Sequence, residues 1–423
     1  MTPARKKPSK RRMAKGAAKR RTAKPSAAKR ATTKRAMTKR ATTKRATTKR
    51  AAPKRVAAKR APAKRPAANP AVVEGRAALI ARLDPSGMGE RIEGLANQLR
   101  QGAALAAPLF GRVAPERPRR IVLCGMGGSA IAGELLASLI EREGAAPMHV
   151  VRHYDPPAWI SPEDFLVFSS YSGETEETLA AYRALRPMRA RSCVLTTGGT
   201  LAARAEADGV PIARLPGGHP PRAALGYSFS TLANLAEHLG VLVGGGRRVL
   251  AAANAVEQVA ARCARSVAPA RNPANSLAIR LAGRAILLVA SARTLGPAAV
   301  RWKGQMNENA KHLAYVSPLP ESNHNEVDGF VHPRPLLDRL AAVFLRDPHD
   351  HPRIVRRFEW LGRYLRAKGL VVETYMPEGE DAMERTLACV AMGDFVSYYL
   401  ALRNGMDPSA LPGVESLKKA LQA

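Results

Sequence analysis

The chain contains the sequence Phe165-Leu166-Val167-Phe168-Ser169-Ser170-Tyr171-Ser172-Gly173-Glu174-Thr175, in which a short apolar run leads into a serine-rich turn. The apolar run predicts a buried strand, and the residues after the turn predict a helix. Ser170, Ser172 and Thr175 bring three hydroxyls and several backbone N–H groups to the start of that helix. This set suits a dianionic phosphate monoester, because hydroxyls, amides and the helix dipole all favour negative charge. Helix capping alone needs only one hydroxyl, so the turn favours phosphate binding.

A glycine-rich turn precedes this unit. Arg120-Ile121-Val122-Leu123-Cys124 predicts a buried strand, Gly125-Met126-Gly127-Gly128-Ser129 a turn, and residues 130–136 a helix. Glycines let the backbone approach a ligand closely, and the free N–H groups of a helix start favour an anion. The turn matches a nicotinamide-dinucleotide fingerprint only loosely, because the acidic residue that should end the next strand is displaced to Asp155. The turn therefore predicts an anion site without a nucleotide cofactor.

Strands and helices alternate along the rest of the chain. Further strands are predicted at residues 149–154, 192–197, 284–290, 341–345 and 370–375, and amphipathic helices at 352–367 and 383–402. The alternation predicts parallel sheets wound by helices, with ligands at the carboxyl ends of the strands. The second half has no serine-rich turn, since its first strand ends in Ser291-Ala292-Arg293. We therefore expect one phosphate per chain, bound mainly by the first half.

The charge is concentrated at the amino terminus. The chain has 423 residues with 68 Lys and Arg against 34 Asp and Glu, and residues 1–70 hold 27 of the basic residues and no acid. The remainder therefore has 41 basic and 34 acidic residues, a net charge of +7. The composition divides the chain into a disordered basic tail at residues 1–71 and a folded body, which splits into domains at residues 72–245 and 246–423.

The tail repeats a five-residue unit with a Lys-Arg pair, as in Lys34-Arg35-Ala36-Met37-Thr38. Such a segment can neutralise the phosphates of a nucleic acid without reading its sequence, because it has no aromatic residues and no folded element. Two other interpretations stay open, a solubilising extension and an upstream start codon wrongly assigned. A transit peptide is disfavoured, because the segment nearly lacks Leu and Phe.

Several function classes are excluded by composition. No stretch approaches the apolar length of a membrane span, and the first residues lack the apolar core of a secretory signal. The four cysteines are far apart in the sequence, and the three that lie in apolar runs are expected to be buried thiols. The four are Cys124, Cys193, Cys263 and Cys389. We expect a reducing compartment, most simply the cytoplasm, with nucleoid association through the tail as a further possibility.

The densest group of reactive side chains lies in the second half. A predicted helix ends in Asn307-Glu308-Asn309-Ala310-Lys311, and the later segment Glu321-Ser322-Asn323-His324-Asn325-Glu326 places a histidine among amides and carboxylates. A lone Glu is usually solvated, and a lone His is usually a packing or surface residue. In a chain that binds a phosphorylated compound, together they supply the base and acid that a proton-transfer reaction such as isomerisation requires.

These motifs carry a resemblance to known families. The two turns resemble the phosphate loops of a sugar isomerase (SIS) domain, which implies an α/β fold of two SIS-type, doubly wound parallel sheets. Over residues 75–423 the chain is similar to the bifunctional phosphoglucose/phosphomannose isomerases. The matching segments are Asn307–Lys311, Glu321–Glu326, Met392–Leu400 and the stretch from Asp407-Pro408 to Lys418.

The resemblance implies a role for each matching residue. Glu308 would be the base that moves a proton between C1 and C2 through a cis-enediol, and Arg222 would stabilise the enediolate. His324 and Lys418 would open the sugar ring, with His324 supplied by the neighbouring subunit of a homodimer. The phosphate would be held by Gly127, Gly128, Ser129, Ser170, Ser172 and Thr175. No metal or nucleotide is implied, because only protons are transferred.

Differences from the family pattern, and the basic tail, leave alternative functions to consider. The family pattern has Thr after the Asp-Pro pair where this chain has Ser409, which leaves open the choice between glucose and mannose phosphate and between Lys418 and Lys419. A non-catalytic sugar-phosphate sensor with a DNA-binding tail is the alternative function. The presence of Glu308 disfavours it, because a sensor has no need of a base. An aminosugar-phosphate isomerase is disfavoured by the Asn307-Glu308-Asn309 signature and by the missing glutamine amidotransferase domain.

Overall fold

The computed structural model describes residues 75–421, so the predicted disorder of residues 1–71 lies outside the described residues. The described part contains two parallel sheets. The first sheet has the strand order β2-β1-β3-β4-β5. Its strands are β1 (Ile121–Gly125), β2 (Met148–Val151), β3 (Phe165–Ser169), β4 (Ser192–Thr196) and β5 (Ile212–Arg214). The predicted parallel strands are confirmed here, and β5 is an additional strand.

Helices cover both faces of the first sheet. The helices of the first half, in chain order, are α1 (Arg76–Leu83), α2 (Met88–Glu93), α3 (Leu95–Phe110), α4 (Gly127–Glu143), α5 (Glu176–Leu185), α6 (Gly199–Ala207) and α7 (Leu225–His238). One apolar cluster includes Leu123 of β1 and Phe229 of α7. A second cluster packs Phe168 of β3 against Tyr182 of α5 on the other face. The helices therefore bury β1 and β3 on both sides, and every residue of these two strands is buried.

The topology of the first sheet places the two predicted turns side by side. After β1 the chain forms β2 on one side and then crosses to β3 on the other side of β1. The carboxyl ends of β1 and β3 are in register, with Gly125 opposite Ser169. Ligands of open parallel sheets bind where the strand order reverses in this way.

The second sheet has the order β7-β6-β8-β9, with all neighbours parallel. Its strands are β6 (Ala285–Ser291), β7 (Ala314–Leu319), β8 (Leu340–Leu345) and β9 (Val371–Tyr375). The remaining helices are α8 (Gly245–Cys263), α9 (Pro273–Leu281), α10 (Gly296–Glu308), α11 (Ser322–Asn325), α12 (Arg334–Leu337), α13 (Pro352–Ala367), α14 (Ala382–Arg403) and α15 (Pro412–Leu421). Strand β7 is a further addition to the strands predicted from the sequence.

Helix α14 corrects one prediction. It is not amphipathic as predicted, because every residue from Arg385 to Leu402 is buried. The helix packs against α8, α9 and α10 and joins the apolar cluster that contains Leu123 of β1 and Leu288 of β6. A helix enclosed on all sides is apolar all round, and the few polar residues within it need buried partners. Helix α13 is amphipathic as predicted, with Phe358 and Leu361 buried.

All four cysteines are buried and free, which confirms the prediction made for the three in apolar runs. Burial raises the pKa of the Cys124 thiol to about 12, because a thiolate is poorly solvated there. No helix among residues 75–421 has the length and apolar character needed to cross a bilayer.

Candidate active site

The glycine turn after β1 is shaped by close backbone contacts. Gly127 has a φ of 49°, a left-handed conformation that favours glycine, and a Cβ there would meet no atom within 4 Å. A Cβ on Gly128 would lie 2.7 Å from the carbonyl oxygen of Pro221. Met126, the N-cap residue of α4, makes no side-chain hydrogen bond to the helix. The first N–H groups of α4 are therefore not capped by that side chain.

The serine turn after β3 is organised around one hydroxyl. Ser170 Oγ lies 2.8 Å from Thr175 Oγ1 and accepts a hydrogen bond from the Gly173 N–H at 3.1 Å. Ser172 Oγ accepts from the Glu174 N–H at 3.2 Å. Thr175 is the N-cap residue of α5, yet its side chain makes no capping hydrogen bond. The hydroxyls therefore shape the turn and leave the start of α5 without a side-chain cap.

A neighbouring loop braces the serine turn. Gly173 has a φ of 77°, and a Cβ there would lie 1.9 Å from the carbonyl oxygen of Gly198. The carboxylate of Glu174 accepts hydrogen bonds from the N–H of Thr200 at 2.6 Å and from its hydroxyl at 2.8 Å. These hydrogen bonds lower the pKa of Glu174, because they stabilise its carboxylate, which faces Thr200.

Arg222 connects the first half of the described chain with the second half. It lies in a 3₁₀ turn, Pro221–Ala223, and only 4% of its side chain is exposed. Its guanidinium donates to Asn309 Oδ1 at 2.8 Å and to the carbonyl oxygens of Pro408 and Ser409 at 2.8 and 2.9 Å. Burial lowers the pKa of Arg222, and the negative charge of Glu308 opposes that effect. A buried guanidinium with these partners is a rigid cation.

Glu308 is the last residue of α10, and its Oε2 lies 3.6 Å from Nη1 of Arg222. Its side chain is 39% exposed, so one side of the carboxylate faces Arg222 and the other is accessible. Both residues line a cleft of about 210 Å³, together with Gly127 and Gly128. The cleft also contains Ile131, Arg152, Val300, Arg301, Lys303, Gly304 and Gln305. A carboxylate, a buried cation and the backbone of the glycine turn therefore share one cavity.

A second group of polar residues supports the cleft from below. Arg301 pairs with Asp394 of α14 at 2.9 Å and donates to the carbonyl oxygen of Arg222 at 2.6 Å. Lys311 donates to the carbonyl oxygens of Asn309 and Asp407. Burial and the charge of Arg222 lower the pKa of Lys311. The buried pair holds the Arg222 backbone in place.

The structure brings some of the predicted residues together and leaves others apart. Gly127, Gly128, Arg222 and Glu308 line one cleft. Ser129 is buried at the start of α4. Ser170, Ser172 and Thr175 do not line that cleft, but their turn adjoins the glycine turn through the pairing of Gly125 with Ser169.

His324 and Lys418 lie outside the cleft within this chain. His324 is exposed on α11. Lys418 and Lys419 are both exposed on α15, which has no buried residue.

Several residues of the cleft were not predicted from the sequence. Arg301 and Asp394 form a buried pair that no spacing rule reveals, because they are far apart in sequence and meet only when α10 packs on α14. Arg152 follows β2 and pairs with Glu134. Its position at a strand end was a usable signal. Gln305 lies one turn before Glu308 on α10, a spacing that places two side chains on the same helix face.

Two parallel α/β sheets, with a glycine turn and a serine turn at the carboxyl edge of the first, define a protein with tandem SIS-type units. A family model described as the bacterial phospho-glucose isomerase C-terminal SIS domain matches residues 270–421. A crystal structure of a hypothetical protein from Thermus thermophilus has the same fold, with a TM-score of 0.64 and 17% identity. That comparison covers 82% of this chain and 92% of the other.

Curated relatives define the family. The bifunctional phosphoglucose/phosphomannose isomerase of Caldicellulosiruptor bescii is 32% identical over 79% of this chain and 98% of its own length. The protein of the same description from Aquifex aeolicus is 34% identical over 71% of this chain and 90% of its own length. The chain belongs to the bifunctional phosphoglucose/phosphomannose isomerase family.

Proposed function

We propose that the protein interconverts glucose 6-phosphate, mannose 6-phosphate or both with fructose 6-phosphate through a cis-enediol intermediate. The observation that carries the proposal is the carboxylate of Glu308 beside the buried guanidinium of Arg222, in a cleft whose wall is the glycine turn. Family membership supports the reaction class, and the geometry supports the assignment of roles. No step requires an oxidant or a reductant, because hydride and electrons are not exchanged with another molecule.

Glu308 is the proposed base. Its carboxylate takes the proton from C2 of the open-chain aldose. The C2–H electron pair forms the C1–C2 double bond as the C1–O π pair moves to O1, which gives the enediolate. Protonated Glu308 then returns the proton to C1, the proton of the C2 hydroxyl passes to O1, and the O2 electron pair forms the C2 carbonyl of the ketose. The accessible side of Glu308 leaves room for the sugar, and Arg222 holds the other side. General bases of this kind contribute about 10²- to 10⁴-fold to rate.

Arg222 is the group proposed to stabilise the negative charge of the enediolate. Negative charge develops on the C1 and C2 oxygens as the proton leaves carbon, and a fixed cation in a partly closed cleft stabilises it. Four hydrogen-bonding partners orient the Arg222 side chain and backbone before substrate arrives. Little reorganisation is then needed during the reaction.

The phosphate is proposed to bind at the two turns. Gly127, Gly128 and Ser129 would offer the start of α4, and Ser170, Ser172 and Thr175 the start of α5. The absence of a side-chain cap on either of these two described helices supports this assignment. Binding energy from the phosphate would position C1 and C2 against Glu308.

Ring opening is proposed to need a homodimer. His324 and Lys418 would transfer protons at O1 and O5, with His324 reaching the site of a neighbouring copy. Two features support this: His324 is exposed in its own chain, and α15 exposes the apolar residues Val414, Leu417 and Leu421. An exposed apolar helix face is expected to pack against another surface.

The basic tail is a separate proposal. Residues 1–70, with 27 basic residues and no acid, would bind nucleic acid through its phosphates and associate the cytoplasmic enzyme with the nucleoid. A mobility-shift titration at several salt concentrations, comparing the full chain with a chain that begins at Val72, tests this. A steeper fall of nucleic-acid affinity with salt concentration for the full chain supports the proposal. Equal slopes for the two proteins contradict it.

A coupled assay tests the main proposal. The purified protein is given glucose 6-phosphate or mannose 6-phosphate, and fructose 6-phosphate is measured. Turnover of either substrate supports the isomerase. If neither is turned over while calorimetry detects binding, the sugar-phosphate sensor is the better explanation.

A further inference from the structure

Helix α13 holds an unusual share of the positive charge of the folded body. It contains five arginines and one acid, Glu359, a net charge of +4. Residues 71–423 together have 41 basic and 34 acidic residues, a net charge of +7. One helix of 16 residues therefore carries more than half of the net positive charge outside the tail.

Three of these arginines are free of protein partners. Arg353, Arg356 and Arg363 are exposed, and none of them forms an ion pair or a side-chain hydrogen bond within residues 75–421. The other two are engaged: Arg357 donates to Asn323 at 3.4 Å, and Arg366 donates to the carbonyl oxygen of Val372 at 3.4 Å. The helix therefore presents uncompensated cations to solvent.

An exposed aromatic pair lies among the free arginines. Trp360 is 45% exposed and stacks on Tyr364, with ring centroids 4.9 Å apart and planes 13° from parallel. Lys368 Nζ lies 5.2 Å from the centre of the Tyr364 ring. Residues 353, 356, 360 and 363 follow each other at intervals of three and four, so they lie on one face of the helix. That face is about 15 Å long at 1.5 Å per residue.

We propose that this face of α13 binds single-stranded nucleic acid, with phosphates on Arg353, Arg356 and Arg363 and a base stacked on Trp360. Cations beside an accessible aromatic ring are the two components of sequence-independent single-strand binding. A face of about 15 Å is longer than the distance between successive phosphates, so the three arginines can contact different phosphates of one strand. Phosphates alone do not account for an exposed tryptophan at the centre of the arginines, whereas unpaired bases do.

A second copy of the chain is the less favoured occupant. In a symmetric dimer the same patch meets itself, so α13 against α13 would oppose two surfaces of net charge +4. The Tyr364 hydroxyl of α13 donates a hydrogen bond to the carbonyl oxygen of Val327. Two acidic residues, Glu326 and Asp328, flank Val327 in the sequence. They do not pair with the three free arginines. A polyanion matches the patch better than a copy of itself.

Tryptophan fluorescence of the full-length protein tests the proposal directly. Residues 1–74 contain no aromatic residue, so binding by the tail is silent in this signal. The three tryptophans are Trp302, which is buried, and Trp159 and Trp360, which are 43% and 45% exposed. An oligothymidine is added to the wild type, to Trp360→Phe and to the matched control Trp159→Phe. We expect quenching in the wild type and in Trp159→Phe, and none in Trp360→Phe.

The phosphate contacts are tested by salt dependence. The triple substitution of Arg353, Arg356 and Arg363 by Gln should lower the slope of log affinity against log salt by about 2, since each phosphate contact contributes about 0.7 for a single strand. The control is a triple substitution by Gln of three exposed arginines elsewhere, Arg183, Arg271 and Arg293. It should leave the slope of log affinity against log salt unchanged when affinity is measured by tryptophan fluorescence. An abasic oligomer with the same number of phosphates should quench less than oligothymidine.

Three results would overturn the proposal. The first is equal quenching in Trp360→Phe and the wild type, and the second is equal quenching by the abasic oligomer. The third is a pair of observations: the emission of Trp360 changes with protein concentration in the absence of oligonucleotide, and Trp360→Phe has a different oligomeric state from the wild type. Together these two observations would show that the face is a contact between copies of the chain.

Discussion

Nη1 of Arg222 lies 3.6 Å from Oε2 of Glu308, and the two side chains differ sharply in exposure, at 4% and 39%. The cation is buried and held by three acceptors besides Glu308, whereas the carboxylate is free to contact a ligand. The pair is therefore asymmetric: one partner is fixed by the protein and the other is accessible to a substrate. This arrangement suits a charge-stabilising group beside a proton-transferring one.

Replacing Arg222 with Lys should lower kcat by about 10²- to 10³-fold, the effect typical of losing one charge-stabilising donor. The ammonium keeps the charge but lacks the planar fork whose N–H groups donate to Asn309, Pro408 and Ser409. Steady-state kinetics with fructose 6-phosphate checks this. The control is Arg271→Lys, an exposed residue outside the cleft. Unchanged kcat in Arg222→Lys would show that the guanidinium geometry is not used.

Two adjacent glycines should respond differently to alanine. Gly128→Ala places a Cβ 2.7 Å from the Pro221 carbonyl oxygen and must displace the Pro221–Arg222 backbone. Gly127→Ala meets no atom but keeps a φ of 49°, which costs about 1 to 2 kcal/mol of stability. We expect Gly128→Ala to reduce kcat more, measured with thermal unfolding in parallel. Equal kcat in the two variants would argue against the coupling of this turn to Arg222.

The serine turn should control affinity for the phosphate. Ser170→Ala removes the hydroxyl that bridges Thr175 Oγ1 and the Gly173 N–H, so KM for fructose 6-phosphate should rise by about tenfold or more, as one or two hydrogen bonds to a charged group are lost. The control is Ser138→Ala, whose hydroxyl bonds within its own helix α4. If inorganic phosphate inhibits Ser170→Ala and the wild type equally, the turn does not bind phosphate.

Sharing of sites between subunits can be tested by mixing two inactive variants. His324→Ala and Glu308→Gln damage different halves of a shared site, so a mixed dimer contains one intact site. After random exchange of subunits, about a quarter of the wild-type activity should return. Mixing either variant with itself is the control. No recovery, in a mixture shown to exchange subunits, would place His324 and Glu308 in one chain's own site.

The fold could be predicted well from local patterns. The apolar runs that form β1, β3, β4, β6 and β8 are short, largely buried and bounded by turns, which is why each is recognisable. Strand β5 has only three residues, and β7 is a partly exposed edge strand containing a proline, Pro318. Neither gives a clear apolar run. The sequence shows that α14 is a helix, but it does not show that the helix is enclosed on all sides, because periodicity does not reveal how many neighbours pack around a helix.

The site could be predicted only where the chemistry is local in sequence. The two turns are continuous segments, so their hydroxyls and glycines are identifiable from the sequence alone. Glu308 and Arg222 were assigned by resemblance, and their approach depends on how α10 packs beside the Pro221–Ala223 turn. The Arg301–Asp394 pair under Arg222 had no sequence signal, because a buried ion pair is defined by tertiary packing.

The most direct test of the proposed mechanism follows the proton on carbon. Wild type and Glu308→Gln are incubated with fructose 6-phosphate in D₂O, and deuterium at C1 of the ketose and C2 of the aldose is measured by NMR. Calorimetry confirms that both proteins bind fructose 6-phosphate. The mechanism predicts deuterium incorporation by the wild type and a loss of about 10²-fold or more in Glu308→Gln with binding retained. Incorporation by Glu308→Gln at the wild-type rate would contradict it.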